Sequence, residues 1–284
     1  MANTINSALI VDTVSEYGLT KLANRLAALS LFTTGFSADV KRPKDIVQVS
    51  LSTAGSTTVT NPTDFSTIGA STLGASAVTL AHLYQPFGLA YGDIQNGIKL
   101  ERLVKINMDK LADAIWDAAT APITVANFGA ATVTGADSTV TPGSANLRAL
   151  WAGVAKADRK ALIVNTGIYS NLIPTSTTSL PLSAGAYGFE AGVYYASAFN
   201  SEAKLAGFAC APEAIAMAAA APDFSATQND FLVSESMVIP GLGLSIFYNV
   251  WGDPTTRNLV GSFELMFGAN KGITTGTIAS VYNP

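Results

Sequence analysis

Residues 46–91 constrain this chain more than any other part of it. Val47, Val49 and Leu51 alternate with Gln48 and Ser50, which predicts a strand with one apolar face; Val78, Leu80, His82 and Tyr84 repeat the pattern. Between them, residues 52–77 are dominated by Ser, Thr, Gly and Ala. A two-stranded ribbon with a long tip buries little of its own surface and is marginal alone. A structureless connection of this length is also unusual inside a compact domain unless it is functional or disordered. The segment is therefore expected to be a long hairpin lying across a neighbouring copy of the chain. A disordered insertion is the competing reading.

Composition points the same way. Of the 284 residues, 49% are hydrophobic and 13% charged, roughly half the usual charged share of about 25%. Mean hydropathy is +0.33, so much of the surface must be small, neutral or apolar. Such a surface is a liability for a monomer and ordinary for a subunit covered by other copies. A Ser/Thr/Gly/Ala-rich monomer accounts for these numbers equally well.

A membrane span is not expected. The uncharged stretches 65–92, 118–136 and 161–189 are each broken by Pro, Gly and several Ser or Thr. No basic segment leads the chain, whose first positive charge is Lys21, after Asp12 and Glu16, so no secretory signal is expected. Asn61 is followed by Pro62, which disqualifies it as a glycosylation acceptor. A single cysteine, Cys210, has no internal partner and fits a reducing cytoplasm. Net charge is -4, unevenly spread: residues 1–186 carry 13 basic and 12 acidic groups, residues 187–284 carry 3 and 8. That is not the basic stripe of a sequence-specific nucleic-acid binder. Lys41, Arg42 and Lys44 form one dense basic cluster, which a solvated loop explains about as well as a partner does.

The first 45 residues read as an arm. Thr13 and Glu16 have capping-box spacing, and Leu19, Leu22, Leu26 and Leu29 continue at helical spacing. An extended stretch with no packed element is expected beyond Leu29. After the ribbon, a long helix is predicted over residues 98–119, about 33 Å at 1.5 Å per residue. Leu100, Leu103, Val104, Met108, Leu111, Ile115 and Trp116 line one face. Glu101–Lys105 and Lys105–Asp109 are spaced as surface pairs. Residues 123–143 read as a second hairpin. From Ser144 the pattern alternates between helix and strand. A helix capped by Ser144 buries Leu147, Leu150, Trp151 and Val154; a short strand covers 161–164; a helix opens at Thr166; another starts at Pro212 and Glu213 and runs through Ile215 and Met217. Residues 244–251 read as a central strand, then a strand presents Phe263, Leu265 and Phe267, and residues 273–282 close the chain as another.

Catalytic equipment is scarce. Any histidine-based triad must use His82, which sits in a strand pattern beside Ala81 and Leu83 with no Ser or Cys in a nucleophile setting. His82 is expected to be a hydrogen-bonded strand histidine. Neither a zinc-ligand spacing, a nucleophile elbow nor a phosphate loop occurs, and the Gly241–Gly243 pair reads as a turn. Asp109, Asp113 and Asp117 lie four apart and could serve glycoside hydrolysis or bind a cation; the blander expectation is a solvated stripe on the long helix. No catalytic residue, metal ligand or cofactor is assigned.

The order of elements carries a resemblance. Arm, long hairpin, long helix, second hairpin, mixed α/β domain and closing strand pair together resemble the major capsid proteins of tailed double-stranded-DNA phages. Residues 98–119 resemble the spine helix of that family, 147–174 the opening helix, strand and helix of its axial domain, 208–222 a late helix of that domain, and 241–268 its returning strands. The resemblance implies an α+β chain of Hong Kong 97-like capsid fold. Its parts would be an N-terminal arm (1–45), an extended β-hairpin loop (46–91), a peripheral domain with spine helix 98–119 (92–143, 223–240 and 258–284), and a mixed α/β axial domain (144–222 and 241–257). One branch of the family cross-links its subunits through a loop lysine; residues 46–91 contain none, so that chemistry does not carry over.

The resemblance further implies a non-enzymatic subunit that forms pentamers and hexamers in an icosahedral shell around the phage genome. It would be assembled in the host bacterial cytoplasm and found in the virion. Scaffolding, portal and decoration proteins are the implied partners, with weak, non-specific contact to packaged DNA and no membrane. The rivals are an encapsulin-like nanocompartment shell, a tail-tube or decoration protein, and an enzyme of mixed α/β fold. Removing residues 52–75 is expected to leave a folded monomer that assembles poorly.

Overall fold

A computed structural model of the chain describes residues 18–53, 72–89, 97–155, 159–173, 186–196, 199, 204–224, 231–253 and 258–283. The expected capping pair Thr13 and Glu16 and the tip of the hairpin lie outside them. The helices are α1 (Leu19–Leu26), α2 (Gly97–Thr120), α3 (Val125–Phe128), α4 (Ala145–Gly153) and α5 (Thr166–Leu172). The strands begin with β1 (Thr33–Lys41), β2 (Ile46–Thr53), β3 (Thr72–Thr79), β4 (Ala81–Leu89), β5 (Val133–Thr134), β6 (Ala161–Val164) and β7 (Gly192–Tyr195). They end with β8 (Leu205–Cys210), β9 (Ile215–Pro222), β10 (Val233–Val238), β11 (Ser245–Asp253), β12 (Asn258–Lys271) and β13 (Ile278–Tyr282).

The long helix forms where its periodicity placed it. Val104, Met108, Leu111, Ile115, Trp116 and Ala119 recur every three or four residues and are all buried. Thr120 donates back to the Trp116 carbonyl at 2.8 Å, and Pro122 follows. Helix α1 buries Leu19, Leu22 and Leu26 in the same core.

A six-stranded sheet in the order β1-β9-β12-β11-β10 lies against α2, with β4 paired along β12. Strand β12 presents Phe263, Leu265 and Phe267 to the core, all fully buried. A second sheet runs β5-β13-β8-β6-β7. Helices α4 and α5 cover it with Leu147, Leu150, Ile168 and Leu172. Its neighbours β6 and β7 are parallel, so α5 supplies the crossover such a pair needs. Strand β8 is buried on both faces, Phe208 and Cys210 in the core of the large sheet and Ala209 under the helices. Strands β2 and β3 form a separate antiparallel ribbon.

Several local expectations are corrected. Residues 215–222 are not a helix but strand β9; Pro212–Ala214 make only a 3₁₀ turn. Alanine-rich sequence favours helix by propensity, but here both faces are packed and pairing with β1 and β12 decides. The supposedly unpacked stretch after α1 is β1, parallel to β9. Residues 123–143 are not a hairpin: α3 and the two-residue β5 occupy them, and β5 pairs with β13. Val78 to Tyr84 is two strands, separated at Leu80, the first in the ribbon and the second in the large sheet. Trp151 is not inward-facing but 41% exposed; its indole donates to the Gly188 carbonyl at 2.8 Å and Lys160 Nζ lies 3.7 Å from its ring centre. Strands β9 and β11 adjoin β12 in the large sheet, and β13 lies in the small one.

Candidate functional site: the ribbon, the arm clamp and a buried carboxylate

Three arrangements could carry function, and the ribbon is the first. Its alternation puts Val49, Leu51, Val78 and Leu80 on one buried face, packed on Ala216, Ala218, Ala220 and Met266 of the large sheet. Gln48, Ser50, Ala75, Ala77 and Thr79 are exposed on the other face, all uncharged. At the base, Lys44 N donates to Leu80 O at 2.8 Å and Leu80 N to Asp45 O at 2.9 Å. Asn270 Nδ2 donates to Ala77 O and Ser76 Oγ to Lys271 O, both at 2.8 Å. The nearby basic cluster contributes an exposed pair, Arg42 with Asp223 at 2.8 Å.

The second arrangement joins the arm to the long helix. Lys21 Nζ lies 2.6 Å from Asp109 Oδ2. The Arg25 guanidinium reaches Asp109 Oδ1 and Asp113 Oδ1, each at 2.7 Å, and Trp116 Nε1 donates to the Arg25 carbonyl at 3.1 Å. Partial burial alone would raise the Asp109 carboxyl, but hydrogen bonds from Lys21 and Arg25 outweigh it and hold the group below its ordinary value. Asp117 has no such help: burial, then the Asp113 charge, push it up. Of the acidic stripe, Asp117 is exposed, whereas Asp109 and Asp113 are part-exposed and paired with α1. The expected Glu101–Lys105 pair is present.

The third centres on Glu264, which is 4% exposed. His82 Nε2 lies 2.9 Å from its Oε2, Asn249 Nδ2 donates to Oε1 at 3.1 Å, and Ser262 Oγ donates to the same oxygen. Ser234 Oγ extends the network to Asn249 Oδ1 at 2.8 Å. Burial pushes the carboxyl up, but these three donors together leave it below the ordinary glutamate value. His82 is therefore the hydrogen-bonded strand histidine expected. The carboxylate stands between imidazole and hydroxyl, so the histidine cannot take a proton from Ser262 as a nucleophile would require. Cys210 is buried, which pushes its thiol up and keeps it from acting as a thiolate. Among the described residues no group of three His, Cys, Asp or Glu could hold a metal ion, and no helix is long and apolar enough to cross a membrane.

Neither a family model nor a curated protein matches the sequence. Solved structures do. A virus-like particle from Pyrococcus furiosus superposes with a TM-score of 0.55 at 8% identity, over 95% of this chain and 98% of that one. The chain has the Hong Kong 97-like capsid fold. The capsid of Ralstonia phage GP4 (TM-score 0.49, 9% identity, 88% and 86% covered) and that of a native GTA particle (0.49, 12%, 92% and 91%) were also found. The arm clamp escaped sequence reasoning because its partners lie 84 or more residues apart, and the Glu264 network because His82 is 182 residues from the carboxylate it meets. Only the polar Ser262 and Glu264, interrupting the apolar run of β12, hinted at the second.

Proposed function

We propose that the chain is the major capsid subunit of a tailed double-stranded-DNA phage, assembling as pentamers and hexamers into an icosahedral shell around the genome. The ribbon carries this reading. Its inner face is anchored on its own sheet, and its outer face is exposed and uncharged, a surface suited to burial on a neighbour without charge desolvation. Closed symmetry multiplies weak contacts of this kind over many copies. The fold shared with a virus-like particle over nearly the whole chain supports it.

In this reading the large sheet with α1 and α2 is the peripheral domain, the small sheet with α4 and α5 the axial domain, and residues 46–80 the extended loop. Packaged DNA is met weakly, since no basic stripe exists to release counterions. Scaffolding, portal and decoration proteins are the partners, assembly takes place in the host cytoplasm, and no catalysis is assigned. That the superposed particle is virus-like favours one second reading, a nanocompartment shell enclosing protein cargo.

Negative-stain microscopy of the purified protein, with size-exclusion mass and nucleic-acid absorbance on the same sample, tests both readings. Isometric particles or uniform five- and six-fold rings are expected. Nucleic acid inside particles from infected cells selects the phage capsid; protein cargo selects the nanocompartment. A protein that stays monomeric with a scaffold and under crowding would overturn both.

A further inference from the structure

Three positions with little or no side chain line up beneath the ribbon. In strand register Gly35 of β1 is opposite Ala218 of β9, and Ala218 is opposite Gly268 of β12. They come from three separate parts of the chain yet form one row across three adjacent strands. The ribbon occupies the trough they leave. A Cβ on Gly35 would stand 3.0 Å from Val49 Cγ2, and one on Gly268 would stand 2.2 Å from the Thr79 carbonyl oxygen and 3.0 Å from Val78 Cγ1. The second position tolerates no side chain, because the obstructing atom is backbone. Ala218 is fully buried in the same cluster as Val49 and Val78. The hydrogen bonds from Asn270 to Ala77 and from Ser76 to Lys271 hold the ribbon along the trough.

We infer that the Gly35–Ala218–Gly268 row is a cradle that fixes the ribbon's direction within the lone subunit, before any neighbour is met. A hairpin with two free edges would otherwise swing about its base. Here the base is seated by the close approach of Gly268 to the Thr79 backbone and of Gly35 to the Val49 side chain. A preset ribbon loses less conformational freedom on docking than a loose one. That consequence for assembly rests on the shell reading; the seating itself does not.

Amide hydrogen exchange on the unassembled subunit tests the seating. In the wild type, hydrogen-bonded amides at 46–51 and 74–80 exchange within roughly tenfold of those in β12. Gly268→Ala accelerates them by roughly tenfold or more while β10 and β11 stay unchanged. Gly35→Ala gives the same pattern more weakly, because Val49 can give way. Gly74→Ala, whose Cβ would come no closer than 3.8 Å to the Leu51 carbonyl, changes nothing. Ribbon amides as fast as exposed ones in the wild type would overturn the inference, as would unchanged exchange in both wedge variants. If Gly268→Ala fails to fold, the wild type and Gly35→Ala decide between the same outcomes. Particle formation is read separately: a seated ribbon in a protein that stays monomeric with a scaffold and under crowding sinks the shell reading alone, and particles from a subunit with an unprotected ribbon sink this inference alone.

Discussion

The two faces of the large sheet are built on opposite plans from the same strands. Toward α2, β12 and β11 present Phe263, Leu265, Phe267 and Tyr248 to Trp116 and the α1 leucines. On the reverse face the alternate residues are Ala216, Ala218 and Ala220, then Ser262, Glu264 and Asn249. The first face gains its free energy from volume, since large apolar side chains bury most area per residue. The second offers mostly small or polar side chains of its own; it fits a ribbon closely and satisfies a carboxylate. One side of the sheet therefore holds the chain together, and in the proposed shell the other places what the subunit offers to its neighbours.

The division is broken most directly from the volume side. Trp116→Ala removes a fully buried indole and its hydrogen bond to Arg25; a loss of about 3–5 kcal/mol is expected. Urea unfolding measures it, and a loss under about 1 kcal/mol would show that the α2 face does not carry the stability.

Glu264→Gln probes the polar side and costs less, about 1–3 kcal/mol, because one donor of the network is left facing an amide NH₂. The sign with pH follows from the lowered carboxyl. The network adds stability above the ordinary glutamate range and loses it as pH falls through the lowered value. Wild type and variant should thus converge in stability on acidification, measured by urea unfolding at several pH values. A constant gap would mean that the charge of Glu264 contributes nothing.

Arg25→Ala releases the clamp between arm and long helix. The pairs are part-exposed, so about 0.5–1 kcal/mol is expected, shrinking with added salt. Faster proteolysis near α1 with unchanged exchange in β11 and β12 would locate the loss. Equal loss at high salt would point to packing of the arginine stem instead.

How much of this was legible in the sequence depended on the range of the interaction. Helix α2 declared itself through its own spacing, and β11 and β12 through continuous apolar character. The ribbon's arms showed in the alternation of Val47, Val49 and Leu51. Strand β9 did not, because Ile215 to Pro222 reads as helix to any local rule, and only packing on both faces makes alanine the right residue there. The clamp was half visible: Asp109 and Asp113 stood out, but nothing local said that Lys21 and Arg25 would meet them. The cradle was invisible, as Gly35, Ala218 and Gly268 mean nothing until register sets them in one row.

The smallest effect on stability sharpens the comparison most. Replacing residues 52–73 by Asn-Gly keeps Leu51 opposite Gly74, their observed register, and closes the ribbon with a two-residue turn suited to that twist. The buried face of the ribbon, Val49, Leu51, Val78 and Leu80, remains seated on the alanines. Stability should therefore change by less than about 0.5 kcal/mol, while particles fail to form or form with far lower yield. Calorimetry and negative-stain microscopy on one preparation measure the two together. Loss of stability would mean that residues 52–73 brace their own subunit. Normal particles would mean that the shell closes without them, and the reverse face of the sheet would then need another purpose.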